Sequence, residues 1–267
     1  MKLTNKKLIW ILQTGEPLPI DSGNPRPMRA MNLSQALLKR GHRVVLWSAT
    51  FNHQKKCHRE KPHASLEYPS QFELRLIDSP GYQRNIGFRR LWDHLVLANN
   101  LKKRLAQETA VPDVAFVGYP PIETAAVMTR WLLLKKVPCI LDVKDQWPSI
   151  FVDPLPSQLQ RLAKIPLWPY FYYAKRSMQE ATGLVSMANL FLDWSLQFAG
   201  RDRSSHDGVF ALTCESSAVP KSQLQAANAW WDQQGIVQDG NIFRVVFVGS
   251  HNSVFDFTPL REAALFF

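Results

Sequence analysis

An α/β protein, with a parallel sheet covered by helices on both faces and an unfinished second domain, is what the sequence predicts. Three observations predict it. Short, wholly apolar segments such as Leu8–Leu12 and Val114–Val117 read as strands buried on both sides. Stretches of ten or more residues with helical spacing separate such segments, which is the signature of βαβ units. Beyond residue 241 one more strand and one more helix begin, and a strand–loop–helix cannot bury its own faces.

The elements follow in order. Leu8–Leu12 is the first strand, and a polar loop rich in Pro, Gly, Asp and Arg follows it. Met28 to Arg40 carries Met28, Met31, Leu33, Ala36, Leu37 and Leu38 at helical spacing, and Gly41 closes it where positive φ is favoured. Val44–Trp47 is the second strand, and Phe72–Ile77 alternates as a third, more exposed one. Residues 88–107 form a helix. Val114–Val117 ends in Gly118-Tyr119-Pro120-Pro121, a helix runs from Ile122 to Lys136, and Cys139–Val143 is the next strand. A helical region over Ser157–Ala181 is predicted to be interrupted by Pro166 and Pro169. Leu184–Ser186 is a strand and Leu190–Ala199 a helix. The sheet domain is assigned to residues 1–215. Residues 216–241 read as a linker with a helix around Trp230-Trp231. Residues 242–267 read as the truncated start of a second domain, with strand Ile242–Val248, loop Gly249-Ser250-His251-Asn252 and a helix from Thr258.

An apolar fraction of 46% predicts a sizeable core rather than disorder. Cys57, Cys139 and Cys214 are scattered and match no metal-ligand spacing, which implies a reducing compartment and no bound metal. The apolar run after Lys6-Lys7 is too short for a signal peptide, and no stretch approaches the ~18 apolar residues of a membrane span. A cytoplasmic protein is expected. Its net charge of +10 is one-sided. Residues 1–110 hold nineteen Lys/Arg against eight Asp/Glu, whereas residues 111–267 hold thirteen against fourteen. A field confined to the first part implies an anionic partner.

In an open parallel sheet, ligands gather beyond the carboxyl ends of the strands. That rule nominates the loop Gly15–Arg29, then Thr50, Asn52 and His53, then Gly118 and Tyr119, and then Asp142, Lys144, Asp145 and Trp147. Gly15–Arg29 holds no G-x-G-x-x-G and no phosphate-loop spacing, which counts against a nicotinamide oxidoreductase. Arg26 and Arg29 stand at the start of a helix, where the dipole disfavours cations; binding an anion is one reading, and reaching solvent or a nearby acid is the other. His53 lies past a strand end. Two acids three residues apart, Asp142 and Asp145, close a buried strand and must be hydrogen-bonded or ligand-facing. Asp145 is the candidate catalytic group, with Trp147-Pro148 as a wall beside it. Asp142 instead orients a loop or caps a helix.

Together these segments resemble a known family. Arg40-Gly41-His42-x-Val44, Ser48-x-x-Phe51-x-His53 and Asp145-x-Trp147-Pro148 are similar to family 4 glycosyltransferases, closest to bacterial members of surface-polysaccharide assembly. Gly118-Tyr119-Pro120-Pro121 resembles their Ser-Pro-Pro loop, and Val246-x-Val248-Gly249-Ser250 the first strand and loop of their second domain. The resemblance implies the N-terminal half of a GT-B fold, in which Rossmann-like domains face each other across a cleft. It further implies acceptor contacts at Gly23, Arg29, His53, Tyr119 and Trp147, donor contacts at Gly249 and Ser250, and catalysis at Asp145. A nucleotide-sugar would be co-substrate, with retention of configuration and no cofactor. The chain departs from the family in lacking a Gly-Gly pair near Gly23 and the Arg and Lys that grip a donor diphosphate after Gly249.

Residues Phe88–Gln107 carry apolar residues at helical period, with Arg89, Arg90, Lys102, Lys103 and Arg104 at the two ends. Beside the reading of an ordinary packed helix stands an interfacial one, with Trp92 at the boundary of an anionic membrane. Five or six basic residues at about 1 kcal/mol each suffice for reversible docking but not insertion. No nucleic-acid motif accompanies the charge. Two readings stay open. One is a transferase peripheral to the inner face of the membrane, moving a sugar to a lipid-linked or saccharide acceptor. The other is a non-catalytic docking subunit of a split transferase.

Overall fold

The computed structural model describes residues 6–23, 25–59, 69–85, 87–212, 219–236, 242, 244–247 and 256–265. The chain divides into two compact units, Met1–Glu215 and Ser216–Phe267.

The first unit is a seven-stranded, wholly parallel sheet. Its strands are β1 (Leu8–Leu12), β2 (Arg43–Ala49), β5 (Phe72–Ile77), β6 (Val114–Tyr119), β7 (Cys139–Val143), β8 (Gly183–Ser186) and β9 (Gly208–Val209). The hairpin β3 (Phe51–Asn52) and β4 (Cys57–His58) stands apart as a two-stranded antiparallel sheet. The helices are α1 (Arg29–Lys39), α2 (Phe88–Ala106), α3 (Ile122–Leu134), α4 (Ser157–Glu180) and α5 (Asn189–Ala199). The sheet order is β5-β2-β1-β6-β7-β8-β9. After β1 the chain builds outward through β2 and β5, then returns to the other side of β1 for β6 and the rest. The direction reverses between β1 and β6, so their carboxyl ends frame the crevice in which such sheets bind ligands.

Alternation of side chains sets the two cores. Trp10 and Leu12 of β1 and Val45 and Trp47 of β2 pack on one face with buried residues of α2, α3, α4 and α5. Ile9, Ile11, Val44 and Leu46 point the other way, against Ala30 and Met31 of α1. The architecture is therefore the α/β, Rossmann-like one, with helices on both faces.

Three local expectations are corrected. The helix over 157–180 runs unbroken through Pro166 and Pro169. The carbonyls these prolines leave unpaired belong to Leu162 and Ile165, which are 61% and 64% exposed, so solvent can satisfy them. Gly208–Val209, for which the sequence predicted no strand, pairs with β8 as the seventh strand. Ile242 and residues 244–247, read as a strand, have no strand structure. In the second unit the described helices are α6 (Lys221–Gln233) and α7 (Thr258–Ala263). Trp230 and Trp231 sit edge to face on α6, half exposed.

Candidate functional site

The crevice at the carboxyl ends of β1, β2, β5 and β6 is a cavity of about 230 Å³. Gln13, Glu16, His53, Arg90, Asp93, His94 and Lys144 bring polar and charged groups of both signs to it.

Glu16 organises the β1 side. It is 5% exposed, and its Oε2 accepts the backbone N–H of Ala30 at 2.8 Å. No side chain of the capping residue Met28 does this, so Glu16 closes the first turn of α1 from the preceding loop. Its Oε1 accepts Gln13 Nε2 at 2.8 Å and Lys144 Nζ at 2.5 Å. The Gln13 side chain lies where a Cβ on residue 118 would stand 2.1 Å from its oxygen, so Gly118 makes room for the arrangement. A helix N-terminus is where dinucleotide folds seat a phosphate. Here a carboxylate of the chain itself occupies that position.

Around β7, Asp142 is 1% exposed, with Arg29 Nε 3.0 Å and Lys144 Nζ 3.8 Å from its Oδ2. Burial raises its carboxyl from the usual value, while Lys144 and Arg29 pull it down. Arg29 also donates to the carbonyl of Phe210 at 2.7 Å. Through these contacts Arg29 ties α1 to β7 and the end of β9. Asp145 is exposed and makes no hydrogen bond among the described residues. Its carboxyl is raised by desolvation, with Arg90 and Lys144 drawing it back.

The opposite wall comes from β3, the segment after β5, and α2. His53 Nδ1 lies 2.5 Å from Tyr82 Oη and 3.3 Å from Lys56 Nζ. Burial, aided by the charges of Lys56 and Arg90, lowers its pKa to about 4, so the ring is neutral at neutral pH. Asp93 is buried on α2 and accepts Ser79 Oγ and the backbone N–H of Gly81, each at 2.7 Å. That contact fixes the rotation of the helix. Its buried side is Asp93, His94, Leu97, Ala98, Leu101 and Leu105, while Phe88, Trp92 and Leu95 are exposed. The guanidinium of Arg90 stacks 4.8 Å from the Trp147 ring and 5.7 Å from that of Tyr82. Arg90 thus lines the crevice, whereas Arg89, Lys102, Lys103 and Arg104 are exposed.

The remaining nominated residues are placed as follows. Tyr119 is fully buried and its hydroxyl donates to the carbonyl of Trp147, so it supports the Trp147 loop from below instead of facing an acceptor. Trp147 is partly buried, with Phe151 4.9 Å and His94 6.2 Å from its ring. Gly23 has φ +86° and is exposed, outside the crevice lining. Gly249 and Ser250 lie outside the described residues. Glu16 and Lys144, nominated by their place at strand ends but given no role, line the crevice, as do Asp93 and His94, which the sequence reading did not single out. The spacing of Asp93-His94 with Leu97, Leu101 and Leu105, one helical face, was the available signal. No group of three or more His, Cys, Asp or Glu suited to a metal ion occurs among the described residues.

No protein-family model matches the chain, and no curated protein does. Among solved structures, the chain is similar to UGT89C1 of Arabidopsis thaliana complexed with quercetin, at 14% identity and TM-score 0.49, over 86% of this chain and 55% of that one. It is similar to the same protein complexed with UDP-L-rhamnose at 14% identity and TM-score 0.47, over 85% and 55%. A ugt transferase from Siraitia grosvenorii in complex with UDP shows 13% identity and TM-score 0.41, over 85% and 56%. The chain spans little more than half the length of these structures.

Proposed function

We propose that the protein is a glycosyltransferase whose parallel-sheet domain binds the acceptor, and that a nucleotide-sugar is its co-substrate. Glu16 is the observation that carries this reading. A carboxylate at the N-terminus of α1 repels a phosphate from the place where a nucleotide would otherwise bind on this sheet. The crevice suits a neutral, hydroxyl-rich molecule read by donors and acceptors of both signs. The nucleotide then belongs to a partner surface that faces the crevice.

In this reading an acceptor hydroxyl attacks the anomeric carbon as the diphosphate departs, and the hydroxyl proton leaves with it. Positive charge builds on the sugar ring during departure. Asp145, exposed beyond the end of β7, supplies a carboxylate that stabilises this charge or orients the hydroxyl. His53, neutral at working pH, offers a hydrogen bond rather than a charge. Retention of configuration, a surface-polysaccharide role and a peripheral place on the inner membrane face are parts of the same proposal. The exposed Arg89, Lys102, Lys103 and Arg104 support the last of these.

The test is direct. The protein is incubated with labelled nucleotide-sugars and with lipid-linked and free saccharide acceptors, and products are read by mass spectrometry. Acceptor binding is measured in parallel by calorimetry. Saccharide binding that weakens on Gln13→Ala supports the assignment of the crevice. Tight binding of a free nucleotide to the isolated sheet domain, with none of any saccharide, would overturn it.

A further inference from the structure

We propose that Tyr82 and Lys56 lock His53 as a hydrogen-bond donor at Nε2, so that it reads an accepting oxygen of the saccharide and cannot take the proton of the attacking hydroxyl. This rests on the reading of the crevice as an acceptor site.

The hairpin sets the geometry. Asn52 Oδ1 accepts the backbone N–H groups of Gln54 at 2.9 Å and Lys55 at 3.0 Å, and the Lys56 N–H returns to the Asn52 carbonyl at 2.9 Å. That tight turn brings Lys56 Nζ within 3.3 Å of His53 Nδ1. The segment after β5 supplies the third member. Gly81, with φ +79°, passes so close to Phe51 that a Cβ there would stand 2.6 Å from the ring. The next residue, Tyr82, thereby meets the hairpin, and its hydroxyl lies 2.5 Å from the same His53 nitrogen.

A neutral imidazole carries one hydrogen, placed by what faces each nitrogen. Lys56 settles the matter here. An ammonium has three hydrogens to give and no lone pair, so it tolerates Nδ1 only as an acceptor. Its other contacts are electron-rich too: Asn85 Oδ1 at 2.5 Å and the Tyr82 ring, whose centroid is 4.6 Å away. The Tyr82 hydroxyl acts in the same sense. Burial raises the phenol above its usual value, so it keeps its proton, and the Arg90 charge attracts the oxygen's lone pairs. Its hydrogen is left for Nδ1. The ring hydrogen therefore sits on Nε2, which bonds no group among the described residues. His53 lines the crevice, so this N–H is what a ligand meets. A ring oxygen, a glycosidic oxygen or an acetamido carbonyl satisfies it, whereas the ammonium of a free amino sugar leaves two donors facing each other. With both lone pairs accounted for, His53 has none for the attacking hydroxyl's proton, which agrees with that proton leaving with the diphosphate.

The experiment labels the histidines of the full chain with 15N and reads by NMR which ring nitrogen carries the hydrogen. The spectrum of His53→Gln identifies the resonance. At pH 7 the unaltered protein should show one tautomer, protonated on Nε2. Lys56→Glu puts an acceptor where a donor stood and should move the hydrogen to Nδ1. Tyr82→Phe should leave the second tautomer visible beside the first. In Lys56→Met the ring should titrate higher, moving from about 4 toward 6.5, because a repelling charge is gone. By calorimetry, N-acetylglucosamine should bind about tenfold or more tightly than glucosamine. A hydrogen on Nδ1, or a mixture, in the unaltered protein overturns the proposal, and this spectrum needs no variant to fold. So does a folded Lys56→Glu protein with the unaltered tautomer, or tighter binding of glucosamine. A locked Nε2–H in a protein that binds no saccharide removes the acceptor reading and leaves the lock. Saccharide binding with a mixed tautomer does the reverse.

Discussion

Asp145 and Asp142 show how far residue identity alone can be read. Both lie at the end of the same strand, yet the structure gives them different surroundings. Asp142 is buried against Arg29, whereas Asp145 is exposed, feels the charges of Arg90 and Lys144, and is not among the residues that line the crevice. Asp145→Asn should therefore lower transfer by at least about a hundredfold, the usual loss on removing one positioned electrostatic group. Its melting temperature should stay within about a degree, because no hydrogen bond of the fold depends on that carboxylate. Turnover and melting measured on one preparation decide the matter, and an active but destabilised variant moves Asp145 into the scaffold. Tyr119 was less legible. It stands at a strand end where ligands gather, yet its hydroxyl reaches the carbonyl of Trp147, a tertiary partner that spacing does not reveal. Glu16 was hidden for the same reason, since its role requires knowing that the loop folds back over α1.

At the scale of elements, periodicity located the helices but not always their rotation. In α2 the apolar positions at helical period include Phe88, Trp92 and Leu95, which the structure leaves exposed. The hydrogen bonds of Asp93 to Ser79 and Gly81 turn the helix so that a polar pair, Asp93-His94, is buried instead. A hydrogen-bonded carboxylate can be buried where an unpaired one cannot, and composition does not distinguish them. The same rotation removes Arg90 from the surface set. Binding to vesicles of anionic lipid should fall steeply from 50 to 300 mM salt, and Arg89, Lys102 and Lys103 changed together to Gln should weaken it about tenfold or more. Arg90→Gln should have a smaller effect on vesicles and a larger one on saccharide binding. Equal binding to neutral and anionic vesicles sinks the electrostatic docking idea. The apolar strands β1, β2, β6, β7 and β8 were legible because burial on both faces leaves little alternative composition. β9 was not, being two residues that contain a glycine and owe their pairing to β8.

For the whole molecule, stability against acid gathers these local environments into one measurable curve, and the sign of each contribution is fixed by its shift. Asp207 has its carboxyl held below the usual value, although burial opposes this. The backbone N–H groups of Leu184 at 2.7 Å and Ser204 at 2.6 Å and the Arg201 guanidinium at 2.5 Å hold the charged form. Such a group stabilises the fold above its unfolded pKa of 3.8 and loses that contribution as pH falls through the lower folded value. His53 also loses stability on acidification, but higher. Its folded pKa of about 4 lies below the unfolded 6.5, so the unfolded chain takes up the proton first as pH falls between those values. The raised carboxyls of Asp142 and Asp145 run the other way, because their protonated forms are favoured in the fold. Differences between variants cancel that opposition. At pH 8, Asp207→Asn should cost about 3 kcal/mol, as expected when one partner of a buried ion pair is removed. The gap should persist to pH 4 and close below it. Wild type should lose stability relative to His53→Gln as pH falls from 6.5 to 4, by about 1–2 kcal/mol once solvent screening of a part-buried ring is allowed for. Urea titrations of the three proteins at half-unit pH steps give both curves. A His53→Gln difference that is flat across that window would mean the imidazole charges freely in the crevice, and its neutral role in acceptor binding would fall with it.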